Sequence, residues 1–324
     1  MNEPLISVII LTFNEARHLQ RALDSLAGLN AKVFVVDSQS TDATPAIARA
    51  NGAVLVQNPF VNQAQQFNWA LDVLPLATPW VLRLDADEVL APDLITALNQ
   101  TLPTLPPEVA GVALERRQIF MNRPIRWGGR ARLNLLRVFR TGRGRAEERW
   151  MDEQLVVTKG KTVTIKGGFF DHSLLDLAQF IDKHNRYATR EAVQVLCERH
   201  GLLPAPPTGM LSPATRLRRL LKARLYHALP YPLASAAYFV WRYGVRLGFL
   251  DGEAGLVYHG LQGFWYRFLV GARTRELARA IAHFDTAEAI GAELARRTGL
   301  PVHPASLHQP LPARKAEMAA ASSA

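Results

Sequence analysis

Ser7-Val8-Ile9-Ile10-Leu11-Thr12-Phe13-Asn14-Glu15 begins as an almost unbroken apolar run and turns polar within four positions. A run such as Ile6 to Leu11 suits a strand covered on both faces, because no position is kept for solvent. Working outward, Ala16 to Ala27 sets Leu19, Ala22, Leu23 and Leu26 at helical spacing, with Asn14 as the expected N-cap. A second buried strand, Val33 to Val36, ends at Asp37. A helix over Thr44 to Ala50, a strand over Val54 to Gln57 and a helix over Gln65 to Leu74 follow. A fourth strand, Trp80 to Leu84, ends at Asp85. Alternating βα units of this length build a mostly parallel sheet flanked by helices. Ligands of such α/β sheets bind beyond the carboxyl ends of the strands, where Asp37, Asp85 and Asp87 fall.

The pattern then changes. Val112 to Ile119, Leu133 to Phe139 and Thr162 to Ile165 read as mixed or antiparallel strands that extend the sheet. Beyond Asp171 the chain reads as helical over Leu175–Arg199, Pro213–Leu229, Leu233–Leu250 and Ala254–Arg279, with a Pro-rich break at Leu203–Pro213. The tail is Ala/Pro/Ser-rich and reads as disordered from about residue 301. With 324 residues, 48% hydrophobic and 20% charged, the chain is long enough for one large domain with a helical appendage. One cysteine, Cys197, precludes an internal disulfide framework and fits a reducing compartment. The short apolar run at the start follows no basic segment, so no secretory signal is expected.

Three polar segments carry the chemistry. The first strand runs into Thr12-Phe13-Asn14-Glu15, the second into Asp37-Ser38-Gln39-Ser40-Thr41-Asp42, the fourth into Asp85-Ala86-Asp87-Glu88. Two aspartates one residue apart after a buried strand can serve a divalent cation, which takes one or two protein carboxylates and completes its shell with phosphates and water. Taken alone, the same residues could form a solvated turn and helix cap ahead of Pro92. Three such segments in order favour the ligand site.

In that order the segments resemble the family 2 inverting glycosyltransferases, over roughly residues 4 to 175. The resemblance implies the α/β GT-A fold of nucleotide-diphospho-sugar transferases. It assigns residues 1–175 to a catalytic domain, 176–285 to a basic, amphipathic helical region and 286–324 to a tail. It also implies a Mg²⁺ or Mn²⁺ cofactor. Within the family, Lys183-His184-Asn185-Arg186-Tyr187-Ala188 and Gly248-Phe249-Leu250-Asp251-Gly252, with Leu261 to Leu269, resemble the bacterial branch that builds lipopolysaccharide cores and exopolysaccharides, which includes beta-1,4-glucosyltransferases.

By that resemblance Thr12, Asn14, Glu15, Asp37, Ser40, Gln66, Asn68, Asp85 and Ala86 line the donor pocket. Asp37 accepts a hydrogen bond from the base, most simply the imide of uracil, and Asp87 binds the metal with Asp85 beside it. A carboxylate accepts only, which suits a donor edge. Inverting transfer also needs a base for the acceptor hydroxyl. Glu147-Glu148-Arg149-Trp150-Met151-Asp152-Glu153-Gln154 sits where the family carries its acidic base motif. Asp152 and Glu153 both qualify, the other one orienting or pairing with Arg149. Arg130, Arg132 and Arg137 are candidate diphosphate ligands, and His172 either reaches the metal or phosphate or is structural. One departure stands out: many relatives carry a basic residue just before the asparagine, and here Phe67 precedes Asn68.

The net charge of +10 is uneven: Leu211 to Ala280 holds eleven Lys/Arg against three acids. Arg216, Arg218, Arg219, Lys222 and Arg224 interleave with leucines as a basic amphipathic helix, and Phe239, Trp241, Tyr243, Phe264, Trp265, Tyr266 and Phe268 suit a headgroup region. No stretch reaches the ~18 to 20 apolar residues of a membrane span. The expectation is a peripheral protein on the inner face of a bacterial cytoplasmic membrane, moving sugar from a UDP-sugar to a lipid-linked saccharide or lipid A-core acceptor. A polyprenyl-phosphate sugar synthase and a non-catalytic nucleotide-sugar-binding scaffold are the alternatives. No nucleic-acid module is visible, and the absence of Gly-x-Gly-x-x-Gly disfavours a dinucleotide dehydrogenase.

Overall fold

The computed structural model describes residues 3–129, 132–151, 153–202 and 229–302. The strands are β1 (Ile6–Thr12), β2 (Ala31–Asp37), β3 (Val54–Gln57), β4 (Trp80–Asp85), β5 (Glu88–Leu90), β6 (Val109–Phe120), β7 (Arg123–Pro124), β8 (Arg132–Arg140), β9 (Gly144–Ala146), β10 (Leu155–Val157) and β11 (Lys161–His172). The α-helices are α1 (Ala16–Asp24), α2 (Thr44–Ala50), α3 (Gln63–Val73), α4 (Pro92–Thr101), α5 (Leu177–Arg199), α6 (Tyr231–Phe239), α7 (Gly252–Tyr258), α8 (Tyr266–Ile281) and α9 (Ala287–Thr298).

The main sheet runs β3-β2-β1-β4-β8-β6-β11-β5, with β7 pairing on β6. Its first four strands are parallel, β8 is antiparallel to β4 and β6, β11 is parallel to β6, and β5 closes the edge antiparallel to β11. Both faces of β1 are covered, as its apolar run requires. Ile6, Val8 and Ile10 pack with Leu19, Leu23, Leu94 and Leu98 on one side. Ile9 packs with Phe34, Phe67 and Phe139 on the other. Each such side chain taken from water contributes roughly 1.5–3 kcal/mol.

The sheet has to curl. Asp85 and Glu88 are three residues apart, a reach of about 11 Å at most. In a flat sheet the four strand steps from β4 to β5 would cover about 19 Å. The bend is built into β11, whose pairing with β6 shifts register between Thr164 and Gly168. There Gly167 adopts φ +93 and a Cβ would lie 2.8 Å from the Leu94 backbone, so no other residue fits comfortably. The turn from β4 to β5 is thereby folded back over the strand ends.

Several sequence expectations need correction. Asn14 does not cap α1. It adopts φ 55, Glu15 holds the N-cap position without a side-chain cap bond, and Asn14 Oδ1 instead accepts the Thr41 N–H at 2.8 Å. The two long C-terminal helices are interrupted: Val240–Val245 and His259–Trp265 are π-helical, and Gly248–Asp251 is a 3-10 turn. The residues assigned to a tail contain α9, whose Ile290 and Leu294 join a second core with Val193, Leu196 and Cys197 of α5 and Leu277 of α8. The expected basic helix with Arg216 to Arg224 lies outside the described residues. Among those residues no helix is long and apolar enough to cross a membrane.

His259 opens the second π-helical segment. It is fully buried, and the hypothetical Cβ of Gly128 or Gly248 would come within 2.1 Å or 2.5 Å of its ring. Periodicity cannot reveal such a fit. Burial, with Arg242 nearby, lowers its pKa to about 4. The unfolded chain therefore binds more protons between about pH 4 and 6.5, and stability rises across that window, by up to about 3 kcal/mol. Urea denaturation at pH 4.5 and 7 measures the slope. His259→Gln makes it shallower, leaving the share of His184, which burial also lowers to about 4; an unchanged slope in that variant contradicts the assignment.

Candidate active site

The carboxyl ends of β1, β2 and β4 meet as the topology dictates. Asp37, at the end of β2, has no exposed surface. Its Oδ1 accepts from the Thr12 hydroxyl at 2.9 Å and the Ser40 hydroxyl at 2.5 Å, and its Oδ2 accepts from the Ser40 N–H at 2.8 Å. Ser40 Oγ accepts from the Asn14 N–H at 2.8 Å. Asp37 thus ties the first two loops together, while Thr12, Asn14, Glu15 and Ser38 face the cleft. Glu15 Oε2 lies 2.6 Å from His18 Nδ1, and its backbone N–H donates to Thr44 Oγ1.

Gln66 and Asn68, both buried, hold loops by their amides. Gln66 bonds Ser38 Oγ, the Asn58 carbonyl and the Asn58 amide. Asn68 receives and donates one bond each with the Ala146 backbone, at 2.9 and 3.0 Å, fastening α3 to β9. Phe67 is committed to the core: it is fully buried, with Phe139 edge-on at 6.2 Å and the Arg83 guanidinium over its ring at 5.4 Å.

At the β4–β5 turn, charge pairing dominates. Arg137 of β8 donates to Asp85 Oδ2 at 3.1 Å and forms a short bond to Glu88 Oε1, while the Asp85 N–H donates to Glu88 Oε2. Arg83 approaches Asp85 Oδ1 at 3.4 Å and Glu153 Oε1 at 2.7 Å. Burial alone would raise the pKa of Asp85, but Arg137 and Arg83 outweigh it and hold that carboxyl well below the usual range. Glu88 goes the other way, raised by burial and by Asp85 and Asp171 against the pull of Arg137. Ala86 is buried beneath the turn, and Asp87 Oδ2 stands 3.4 Å from Lys183 Nζ of α5. Asp171, opposite Glu88 in the β11–β5 pair, is raised to about 6 by burial and then by Asp87, with Arg116 opposing from 3.4 Å.

The expected base motif divides. Asp152 lies outside the described residues. Glu153 lines the cleft but is only 8% exposed in its pair with Arg83. Arg149 bonds Glu198 Oε1 at 2.9 Å, not Glu153. Of the three candidate arginines, Arg137 is at the carboxylate cluster, Arg130 is outside the described residues, and so is the side chain of Arg132. His172 is held between Arg21 at 3.1 Å and Asn122 at 3.0 Å, a structural setting. Arg83, Glu88, Arg116, Asp171 and Lys183 were not singled out as site residues. Arg83 carried a legible signal, a cation inside a buried strand, since such a charge needs partners. Glu88 and Lys183 stood inside quoted motifs without a role.

Thr12, Asn14, Glu15, Asp85, Asp87 and Glu153 line one cleft of about 2780 Å³, walled by the strand ends, the Ala146–Gln154 loop, α5 and α8. A pocket for one small molecule is about 300–1,000 Å³, and this cleft is larger. Among the described residues, no three His, Cys, Asp or Glu side chains gather as an all-protein metal site. An oxygen-only pair such as Asp87 with Asp85 suits a cation that shares its shell with phosphates.

Arg137→Leu tests the cluster. Removing the shared guanidinium leaves Glu88 without its cation and Asp85 with Arg83 alone, and costs about 3–5 kcal/mol, read by urea denaturation. Adding Glu88→Gln recovers part of that loss. A cost below about 1 kcal/mol for Arg137→Leu contradicts the pairing.

An uncharacterized glycosyltransferase of Rickettsia conorii is 40% identical over 97 residues, covering 29% of this chain and 34% of its own. The chain spans about a third of the length of the curated relatives it matches. Among solved structures, a mannosyltransferase from Pyrobaculum calidifontis, in complex with GDP-Man and Mn²⁺, is 16% identical over 93% of this chain and 81% of that one, with a TM-score of 0.40. Glucosyl-3-phosphoglycerate synthase from Mycobacterium tuberculosis, in complex with Mn²⁺, UDP and glucosyl-3-phosphoglycerate, is 24% identical over 36% and 44% of the two chains, with a TM-score of 0.29. The family model for Glycosyl transferase family 2 matches residues 7–159, from β1 through the acidic Glu147–Gln154 loop.

Proposed function

We propose that the protein transfers one sugar, with inversion, from a nucleoside diphosphate sugar to an acceptor hydroxyl. The observation that carries this reading is the single cleft lined by both Asp87, at the β4 end, and Glu153, larger than one small molecule needs. In the transfer, the acceptor oxygen forms a bond to the anomeric carbon from the face opposite the departing group. The bond from that carbon to the β-phosphate oxygen breaks, its electron pair leaves with the diphosphate, and the hydroxyl proton passes to a carboxylate. Asp152 and Glu153 are the two candidates for that carboxylate.

Asp87 and Asp85 would hold a Mg²⁺ or Mn²⁺ ion. When bound, such an ion supplies Lewis-acid charge to the diphosphate. The chain's own contribution is position: Asp37 and Asn14 fix the loops that face the nucleoside, and Asn68 fixes the strand beside the Ala146–Gln154 loop. A uridine nucleotide, and UDP-glucose in particular, is the donor we favour through the family resemblance; Asp37 itself is buried and bonded to Thr12 and Ser40, so its part is to hold the loop.

The acceptor we propose is a lipid-linked saccharide or lipid A-core of a bacterial lipopolysaccharide or exopolysaccharide pathway, met at the inner face of the cytoplasmic membrane. Support comes from an apolar surface: Leu233, Val240, Trp241, Val245, Phe249 and Leu250 are all exposed, with Arg246 among them. Apolar and aromatic side chains edged by basic residues suit an anionic headgroup layer. A second reading has its own observation. Because Glu153 is held by Arg83 at 2.7 Å, a phosphate acceptor such as polyprenyl phosphate, which needs no base, also fits.

Three assays separate these readings. Asp87→Ala abolishes metal-dependent turnover in a nucleoside-diphosphate release assay with bacterial membranes as acceptor. Under the hydroxyl-acceptor reading, Asp152→Asn or Glu153→Gln keeps nucleotide binding and loses about 10²- to 10⁴-fold in transfer; full activity in both points to the phosphate acceptor. The protein co-sediments with vesicles containing anionic lipid, and Trp241→Ser with Val245→Ser weakens this. Equal partitioning of the variant and the wild type removes the membrane face.

A further inference from the structure

Helix α5 carries one continuous stripe into the cleft. Phe180, His184, Tyr187 and Glu191 are spaced so that they share a helix face, and all four line the cleft. Gln262, inside the π-helical segment His259–Trp265, and Tyr266, at the start of α8, line the same side. Departures from α-helical pitch of this kind recur at functional sites. All six residues lie beyond residues 7–159, the stretch that the family model matches.

The contacts fix the chemistry of this wall. His184 Nδ1 lies 2.8 Å from the Phe180 carbonyl, which can only accept, so Nδ1 carries the ring proton. Burial lowers the pKa of the ring to about 4, so near pH 7 it is neutral and Nε2 is an acceptor. The Gln262 amide nitrogen donates a short bond to that Nε2. The Gln262 carbonyl oxygen and its other amide hydrogen then have no protein partner among the described residues. Tyr266 donates its hydroxyl to Glu191 Oε2, and Glu191 Oε1 is left without a partner among the same residues. Both oxygens are accessible, in residues that line the cleft. Rings enclose them: Phe180 lies tilted over His184 at 3.9 Å, and Tyr187 and Tyr266 stand edge-on to it at 5.6 and 5.7 Å. The wall begins beside the Asp85–Asp87 turn, because Lys183 Nζ lies 3.4 Å from Asp87 and over the Tyr187 ring at 5.9 Å.

We propose that the His184–Gln262 and Glu191–Tyr266 pairs form an acceptor subsite for an uncharged pyranose ring, with Gln262 and Glu191 meeting its hydroxyls and Tyr187 and Tyr266 its apolar face. This rests on the transferase reading above. A sugar hydroxyl both donates and accepts; a carboxamide matches it on both counts and a carboxylate on one. The rings supply the apolar lining that a small-molecule site combines with a few placed polar groups. A phosphate at this point would meet the bare Glu191 oxygen, a like charge.

The experiment measures nucleoside diphosphate released from UDP-glucose and from GDP-mannose by the full chain, with bacterial membranes titrated as acceptor. Gln262→Leu and Glu191→Ala are each expected to raise the membrane concentration for half-maximal rate about tenfold, the size of one lost hydrogen bond to a substrate hydroxyl. Glu191→Gln, which keeps an accepting oxygen, recovers part of that loss. Calorimetric affinity for UDP and GDP in Mn²⁺, co-sedimentation with anionic vesicles and the thermal melt stay those of the wild type, a pattern that loosened helix packing does not give. Gln262 and Glu191 sit on different elements, so if one variant unfolds the other decides. An unchanged half-maximal concentration in the folded variants overturns the proposal. A parallel loss of nucleotide affinity also overturns it, because the wall then serves the donor. Nucleotide binding by the wild type without membrane-dependent release keeps the donor site and removes the acceptor subsite. If the wild type binds neither nucleotide, the transferase reading itself falls, and this inference with it.

Discussion

One guanidinium shared between two carboxylates organises this site. Arg137 reaches from β8 to Asp85 at the end of β4 and to Glu88 at the start of β5, strands that are two residues apart in sequence yet four steps apart in the sheet. Only a curled sheet closes that distance, and the register shift in β11 with Gly167 supplies the curl. The chain between the two anchored carboxylates has little freedom left. Asp87 is therefore presented from a turn held at both ends, over the strand ends where an α/β sheet receives its ligands. Buried ion pairs contribute little net stability, but their loss is severe, so the cluster acts chiefly as a specification of geometry.

A second constraint comes from the opposite wall. α5 packs on α8 and α9 through Val193, Leu196, Leu277 and Leu294, and the same helix brings Lys183 to Asp87. Helix packing and site charge are thus properties of one element. The C-terminal helices close the side of a cleft that the sheet alone would leave open, and they carry the exposed apolar residues from Leu233 to Leu250 on their outer surface.

Much of the sheet was legible in the sequence because burial on both faces leaves a plain mark. The run Ile6–Leu11 and the strands ending at Asp37 and Asp85 follow directly from it, as do α2 and β3, which match residue for residue. The convergence of Thr12, Asn14, Asp37, Asp85 and Asp87 follows from topology once those strands are parallel. The long-range partners were not legible. Nothing local announces that Arg137 spans β4 and β5, that Arg83 holds Glu153, or that Lys183 faces Asp87 from 96 positions away. The breaks in the C-terminal helices were hidden too, since no local periodicity marks them. Asn14 misled as a cap because its left-handed backbone turns its amide toward Thr41.

The central claim is that the ends of β1, β2 and β4 form a nucleoside-diphosphate site completed by a divalent cation at Asp87. Calorimetric titration of the wild-type protein with UDP and GDP, each with Mn²⁺ and with EDTA, tests it most directly. The account predicts that one nucleotide binds, more tightly with Mn²⁺ than without, and that Asp87→Ala removes the Mn²⁺ increment. Binding that is indifferent to Mn²⁺ would contradict the placement of the cation, and folded protein that binds neither nucleotide would contradict the site.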